Sequence, residues 1–194
     1  MNRRKTTVLN RKTNEFTEVQ WADIKVGDIV RVDKDQEVPA DLLLISAPGD
    51  RDIVFVSTMN LDGETNLKDR EFVVSTVHEE HLERFSGRVT CDPPNSSLDV
   101  WEGKLSSGNL KTPRPCNIKN LLLRGCTLKN TPYCFGICLY VGKKSKIMMN
   151  QKKAPAKISN LMKTMNKMLY TVFAFQFLLI CLWATLSLFW NKEN

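Results

Sequence analysis

Short apolar runs alternate with polar turn sequences over the first two thirds of this 194-residue chain. The runs are rich in Val, Ile and Leu, and Gly, Pro, Asn and Asp separate them, which is typical of strands joined by turns. The pattern predicts strands at 6–9, 16–20, 24–32, 42–46, 53–58, 88–91, 98–101, 120–123, 126–129 and 135–141. Within 24–32, Gly27 and Asp28 mark a turn that leads into the strand. A helix is predicted at 79–85. We therefore expect a mainly β fold, a compact roll or barrel-like sandwich.

The pattern changes at Met168, because residues 168–190 contain no charged side chain. About 20 apolar residues cross a bilayer as a helix, and a helix of this segment's length reaches roughly 34 Å at about 1.5 Å per residue. Tyr170, Trp183 and Trp190 suit the aromatic belts at membrane interfaces. The segment predicts a transmembrane helix. The alternative is a buried core helix, which at this length would normally keep a charged face.

The formal net charge of +7 is unevenly distributed. Residues 1–12 carry five basic side chains and 141–167 carry eight lysines, with no acidic residue in either segment. Residues 13–140 hold 14 basic and 20 acidic residues, a net charge of −6. A nucleic-acid-binding protein should carry its basic surface on the folded body, so we expect no nucleic-acid partner.

The lysines also predict orientation and domain boundaries. Cationic residues concentrate on the cytosolic side of a span, which places the part before residue 168 in the cytosol. The six cysteines are then expected to be reduced thiols. The predicted segments are a basic juxtamembrane segment (1–12), a cytosolic β-domain (13–150), a Lys-rich juxtamembrane stalk that continues helically into the span (151–167), the transmembrane helix (168–190) and an extracytoplasmic end (191–194).

The most informative candidate for chemistry is the sequence LDGETN at 61–66, which follows a strongly apolar predicted strand. It places the carboxylates of Asp62 and Glu64 on either side of Gly63, which can adopt a positive φ. A carboxylate raised from the surface in this way can orient and deprotonate a water molecule as a general base. Spacing alone leaves a second interpretation open, because Asp-Gly is also a common turn dipeptide.

Other candidate motifs are weaker. His78 and His81 lie one turn apart on a possible helix, but a solvated helix face explains them better than a metal site does. Cys134 and Cys138 lack zinc-finger spacing and a nearby histidine. Gly142-Lys143 fails the spacing of a phosphate-binding loop, since Ile137 occupies the position of its first glycine. We therefore expect no metal site and no self-sufficient catalytic site in this chain.

The sequence DGETNLK at 62–68 resembles the signature loop of type IV P-type ATPases, the phospholipid flippases. Related cation pumps usually carry Thr-Gly-Glu-Ser there. Further segments follow the family in order: VGDIV at 26–30, VPADLLL at 38–44, PN at 94–95, NLLLRGCTLKNT at 120–131, and 142–150. The resemblance covers about 19–166. Pro132-Tyr133 departs from the Trp usual there, and 157–159 lacks the family's Arg and acidic residue, which affects membrane-proximal detail.

This resemblance implies an actuator domain, a distorted jelly-roll or barrel-like β fold, followed by the third transmembrane helix. In the family, ATP phosphorylates an aspartate in a separate domain, and a glutamate of the actuator loop activates the water that hydrolyses the acyl phosphate. Glu64 matches that glutamate, and Asp62, Gly63 and Thr65 would shape the loop. Rotation of the actuator couples hydrolysis to lipid movement.

The family's phosphorylation motif, Asp-Lys-Thr-Gly-Thr, and its nucleotide-binding domain are absent from the sequence. The resemblance therefore implies a fragment that is inactive alone, with ATP and Mg²⁺ bound elsewhere in the full-length protein. Its implied partners are a phospholipid substrate, the membrane, the phosphorylation and nucleotide-binding domains, and an accessory β-subunit. The alternative is a non-catalytic, membrane-anchored regulatory β-module, such as a degenerate flippase-like region fused to another enzyme.

Overall fold

The structure is a computed structural model that describes residues 3–11, 13–49, 52–73, 85–108, 112–151 and 159–193. Within these ranges it contains twelve strands and three α-helices. They are β1 (Lys5–Asn10), β2 (Glu15–Gln20), β3 (Ile29–Asp33), β4 (Asp41–Ser46), β5 (Ile53–Ser57), α1 (Met59–Asp62), β6 (Leu67–Glu71), β7 (Gly87–Cys91), β8 (Glu102–Ser107), β9 (Arg114–Asn117), β10 (Leu121–Leu122), β11 (Thr127–Lys129), β12 (Tyr133–Tyr140), α2 (Lys146–Asn150) and α3 (Asn160–Glu193).

The largest sheet contains six strands in the order β10-β4-β12-β3-β1-β2, and its neighbours pair antiparallel. Every residue of β4 is buried, and its apolar residues are consecutive, as expected for a strand covered on both faces. Gly136 of β12 permits its close packing on β4, because a Cβ there would lie 2.8 Å from the Cβ of Leu42. This sheet forms much of the core.

Two smaller antiparallel sheets complete the β-domain, in the orders β11-β5-β6 and β7-β8-β9. β5 lies between its neighbours and buries Val54 and Val56 completely. β6 is the edge strand beside it, with a largely charged sequence that is typical of exposed sheet edges. The predicted mainly β fold followed by a long C-terminal helix is confirmed.

The buried side chain of Lys146 binds the irregular segment 95–100 through hydrogen bonds. Lys146 is fully buried, and its Nζ donates hydrogen bonds to Asn95 Oδ1 at 2.6 Å and to the carbonyl oxygens of Ser97 and Val100 at 2.7 and 3.0 Å. Burial lowers the pKa of Lys146. Three oxygen acceptors compensate the ammonium group for the water it has lost.

The prediction of a strand at 98–101 is wrong, because this segment has no ladder and the strand β8 begins at Glu102. The carbonyl groups of Ser97 and Val100 bind Lys146. Val100 is 61% exposed, so this apolar residue does not belong to the core and does not indicate a strand. The strands β6, β8 and β9 were not predicted. Of the helix predicted at 79–85, residues 79–84 lie outside the described residues, as do His78 and His81.

The helix α3 belongs to the second of two compact units, which comprises Lys153–Asn194. Residues Asn160–Leu188 are long and apolar enough to cross a membrane, with a mean hydropathy of 2.0. None of that window is buried against protein. The hydroxyl groups of Thr164 and Thr171 donate to the carbonyl oxygens of Asn160 and Lys167 one turn earlier, which satisfies them without water. The helix is a candidate membrane span.

Candidate functional site

The DGET loop, residues 62–65, lies in the connection between β5 and β6. These strands pair from Ile53 with Glu71 to Ser57 with Leu67, so residues 58–66 form the connection. The buried side chains of Val54 and Val56 anchor β5 in the core. A buried strand that ends in an exposed connection holds the loop on a fixed base while it leaves the loop's side chains open to solvent.

A single helical turn, α1, shapes the start of this loop. The N–H groups of Leu61 and Asp62 donate to the carbonyl oxygen of Thr58, and the N–H of Gly63 donates to that of Met59 at 3.1 Å. Gly63 ends the turn with φ 77°, in the left-handed region that favours glycine. The predicted positive φ at Gly63 is confirmed. The reversal brings the chain directly from Asp62 to Glu64.

The charged side chains of the loop form a small cluster around Lys68. Asp62 accepts a hydrogen bond from the backbone N–H of Glu64 at 2.9 Å and another from Lys68 Nζ at 2.7 Å. Lys68 Nζ also lies 2.9 Å from Glu64 Oε2. The hydrogen bond from Lys68, followed by that from the Glu64 N–H, lowers the pKa of Asp62 to about 2, and the two carboxylates raise the pKa of Lys68.

Exposure separates the roles of the two carboxylates. The side chain of Asp62 is 32% exposed, whereas that of Glu64 is 59% exposed. Asp62 binds its own loop through the Glu64 N–H, as in an Asx turn, and so holds the backbone in place. The Glu64 carboxylate contacts only Lys68 among the charged groups of the loop and is the more exposed of the two, and Thr65 is exposed beside it. The arrangement can present one carboxylate to a group outside the domain, as a general base requires.

The turn at Arg124 and Gly125 packs against the start of the connection that carries the DGET loop. Gly125 has φ 91°, and a Cβ at this position would lie 3.0 Å from Leu61 Cδ2, so Leu61 packs directly on the glycine. The buried Asp41 fixes this turn, because its carboxylate accepts hydrogen bonds from the N–H groups of Arg124 at 2.8 Å and Lys146 at 2.7 Å. Burial raises the pKa of Asp41 despite these hydrogen bonds.

The structure places all four residues predicted for the site, Asp62, Gly63, Glu64 and Thr65, in one exposed loop. Sequence reasoning assigned no role to Lys68, although it belongs to the quoted motif. Its spacing of four residues from Glu64 is the available signal, but that spacing implies contact only within a helix, and here the hairpin produces the contact instead. The supporting roles of Asp41 and Gly125 were also missed, since they depend on contacts distant in sequence.

The cysteines are the other candidate groups that the structure describes. Among the described residues, no three His, Cys, Asp or Glu side chains are placed to hold a metal ion. All six cysteines are free thiols. Burial raises the pKa of Cys126 and Cys138 to about 12 and raises that of Cys134 as well, so these thiols resist conversion to the reactive thiolate.

Comparison with known proteins gives two findings. Residues 1–92 match the family model of the P-type ATPase actuator domain. The chain is 40% identical over 177 residues to Phospholipid-transporting ATPase 6 of Arabidopsis thaliana, an alignment covering 90% of this chain and 14% of that protein. It is 37% identical over 182 residues to Phospholipid-transporting ATPase tat-1 of Caenorhabditis elegans (92% and 16%) and 36% identical over 180 residues to Phospholipid-transporting ATPase ID of Mus musculus (90% and 14%). The chain thus spans about one seventh of the length of these relatives.

Proposed function

Since this chain carries a P-type ATPase actuator domain, we propose that it is part of an ATP-driven phospholipid flippase and that its DGET loop drives hydrolysis of the aspartyl-phosphate intermediate. The observation that carries the proposal is the position of Glu64. Its carboxylate is exposed on a tight turn whose backbone is fixed by Gly63 and Asp62. A general base that acts on a group in another domain needs this combination of exposure and fixed geometry.

In the proposed step, Glu64 accepts a proton from a water molecule while the water oxygen attacks phosphorus. The bond between phosphorus and the aspartyl oxygen breaks, which releases inorganic phosphate and restores the aspartate carboxylate. The phosphorylated aspartate lies in a separate domain outside this chain. Gly63 has nothing within 4 Å of the position that a Cβ would occupy, so the turn leaves open space for the approaching phosphate.

Lys68 and Asp62 serve this step by controlling charge and shape. The raised pKa of Lys68 keeps its ammonium group protonated across the physiological range. Asp62 accepts a hydrogen bond from Lys68 Nζ at 2.7 Å, so the positive charge should stay beside the loop when Glu64 turns toward the acyl phosphate. A cation near a transferring phosphoryl group stabilises the charge of the transition state. Lys68 is thus proposed to support approach to the phosphate as well as to hold Glu64 at rest.

The proposed setting is a membrane protein with the β-domain in the cytosol and α3 as a membrane span. Phospholipid is the proposed substrate, and the phosphorylation and nucleotide-binding domains and an accessory β-subunit are the proposed partners. ATP and Mg²⁺ would supply the phosphoryl group and neutralise its charge. We propose that both bind in those other domains and that this piece is inactive alone.

The test is the substitution Glu64→Gln in the full-length parent protein. It removes the proton acceptor but preserves the size of the side chain, so ATP should still form the phosphoenzyme while its hydrolysis slows by about 10²- to 10⁴-fold. Radioactive phosphoenzyme should therefore accumulate after addition of labelled ATP and decay slowly in a chase.

The matched control is Glu18→Gln, an exposed glutamate of β2 that pairs with Lys5 at 3.0 Å. It removes the same charge from a different sheet and should leave dephosphorylation unchanged. Phosphoenzyme that decays at the normal rate in Glu64→Gln would exclude the proposed role of Glu64.

A further inference from the structure

A pocket of about 330 Å³ lies beside the turn that supports the DGET loop. We call it the arginine pocket and define it by Arg4, Trp21, Glu37, Asn60, Leu61 and Arg124. With the apolar and amide groups of 147–151, the residues that line it come from six separate parts of the β-domain, which the fold brings together. The proposed hydrolytic step uses none of these side chains, so the pocket needs an explanation of its own.

Two arginines meet at the same indole ring in this pocket. The guanidinium carbon of Arg4 lies 5.4 Å from the centre of the Trp21 ring, and that of Arg124 lies 6.0 Å from it. The pairing of β1 with β2 brings Arg4 and Trp21 together, and the backbone N–H of Trp21 donates a hydrogen bond to the carbonyl oxygen of Arg4 at 2.9 Å. Such an arrangement holds guanidinium planes in place by cation–π contact while their N–H groups remain available.

The charge of the pocket is positive overall. Arg4 pairs with Glu37, which leaves one net positive charge from the two arginines and the glutamate. Arg124 donates from Nη1 to the Gly142 carbonyl oxygen at 3.0 Å, and within the described ranges no carboxylate lies within 4.0 Å of its guanidinium nitrogens. A guanidinium has five N–H donors in a planar fork that matches carboxylate and phosphate oxygens. Most of the Arg124 donors are therefore free to bind an anion.

The remaining walls favour an anion that carries an organic group. Leu61, Ile147 and Met148 provide apolar surface, and Asn60 and Gln151 provide amide groups. Binding sites for small molecules combine an apolar wall with a few polar groups in this way, and their volumes begin at about 300 Å³. Inorganic phosphate would use the arginines but would leave the apolar wall uncovered.

From these features we infer that the arginine pocket binds an organic phosphate, with the phosphate group held by Arg4 and Arg124 and the organic group against Leu61 and Met148. Asn60 and Leu61 belong to α1, the turn that ends at Asp62 and Gly63. A bound ligand therefore contacts the element that presents Glu64 and restrains it. The ligand would act as a regulator of the DGET loop, an effect that rests on the proposed function, whereas the binding itself does not.

The experiment measures binding by calorimetry with the whole chain in phosphatidylcholine nanodiscs, whose lipid carries no net charge. Three probes distinguish the sources of phosphate: inorganic phosphate, AMP and water-soluble dihexanoyl phosphatidic acid. At least one of the two organic phosphates should bind tenfold or more tightly than inorganic phosphate. A preference for AMP would assign the site to a nucleotide, and a preference for phosphatidic acid would assign it to a lipid headgroup.

Substitutions then locate the binding. Arg124→Gln and Arg4→Gln should each weaken binding of the preferred probe at least tenfold, which corresponds to about 1.4 kcal/mol. Arg88→Gln, which removes an exposed arginine of β7, should change it less than twofold. The side chain of Arg4 is 56% exposed, so its replacement should leave the fold intact and should test the pocket even if Arg124→Gln misfolds.

Amide hydrogen exchange tests the contact with the DGET loop separately. The preferred probe should slow exchange at Leu61, Asp62 and Gly63, whose N–H groups donate to Thr58 and Met59, by about fivefold or more. Absence of saturable binding by all three probes, or equal affinity in the wild type and both arginine variants, would overturn the proposal. Because no phosphoenzyme is measured, these outcomes are independent of the test with Glu64→Gln.

Discussion

The ammonium group of Lys68 contacts two carboxylates, those of Asp62 at 2.7 Å and Glu64 at 2.9 Å. Of these two carboxylates, only that of Asp62 also accepts a hydrogen bond from the loop backbone, from the N–H of Glu64. We therefore expect Asp62 to keep its contact with Lys68 if Glu64 moves away. The loop combines an ion pair whose carboxylate is also bound by the backbone with a second carboxylate that is more exposed.

The ion pair between Lys68 and Asp62 should be visible in the titration of Asp62. Its pKa is lowered from 3.8 to about 2, so the pair stabilises the fold fully above about pH 4, and this stabilisation is lost as the pH falls through about 2. Nuclear magnetic resonance of the side-chain carboxyl carbon should give a midpoint near 2. Lys68→Met should move the midpoint back up toward 3.8, whereas Lys119→Met, at a lysine paired with Glu71, should not. A wild-type midpoint near 3.8 would contradict the pairing.

The residues of the loop show what local sequence can predict. The positive φ of Gly63 follows from Asp-Gly itself, because few other residues adopt that conformation without strain. The contact of Leu61 with Gly125 could not be predicted in the same way, since it joins residues 64 positions apart that meet only once the sheets have formed. The exposed loop was therefore predictable from the local sequence, whereas the residues that support it from distant parts of the chain were not.

Single elements show the same division between local and distant information. β4 and β12 were predicted because their apolar runs fill a buried centre. β9, with the sequence RPCN, was missed because its proline argues against a strand, yet β9 lies at a sheet edge, where proline is tolerated. β8 was missed because only Leu105 among its residues is buried, so it shows no apolar alternation.

The packing of β12 on β4 can be tested with Gly136→Ala. The added Cβ would lie 2.8 Å from Leu42 Cβ and 3.3 Å from the carbonyl oxygen of Leu43, closer than side-chain atoms normally approach. Both are near the backbone of β4, so the strands must shift apart. Urea unfolding of the chain should show a loss of about 1–3 kcal/mol in the free energy of unfolding.

Gly108→Ala is the matched control, because nothing lies within 4 Å of its added Cβ and its φ is not in the left-handed region. Its free energy of unfolding should change by less than about 0.5 kcal/mol, the usual range for surface positions. Equal stability of the two variants would mean that the separation of β4 and β12 at Gly136 is not limiting. The DGET loop belongs to another sheet, so the effect should be on stability and not on the loop.

At the scale of the whole molecule, the charge distribution is the feature that local motifs do not explain. The chain has a net charge of +7, but residues 13–140 carry a net charge of −6. The positive charge lies in residues 1–12 and 141–167, and the apolar window of α3 that follows has none of its residues buried by protein. An apolar surface of this size is expected to be buried against another molecule, such as lipid. Lysines commonly flank helices that span a bilayer. The distribution of charge therefore favours the interpretation of α3 as a membrane span.

This interpretation predicts which end of α3 faces the cytosol. Cationic residues concentrate on the cytosolic side of a span, and Lys163 and Lys167 lie directly before the apolar core of α3. The background for the test replaces Cys91 and Cys181 with serine, since these are the two cysteines that are not buried. Single cysteines are then introduced at Lys25, in the β-domain, or at Asn191, near the end of α3; both positions are exposed.

In sealed microsomes, whose cytosolic face is outward, a membrane-impermeant maleimide should label Lys25→Cys at once. It should label Asn191→Cys only after detergent opens the vesicles, because the helix must carry that end across the bilayer. The unmodified background, whose remaining cysteines are buried, measures labelling from other sites. Labelling of both positions in sealed vesicles would show that α3 does not span the membrane. Protection of Lys25→Cys with labelling of Asn191→Cys would mean that the lysines do not set the orientation and that the DGET loop cannot meet cytosolic domains.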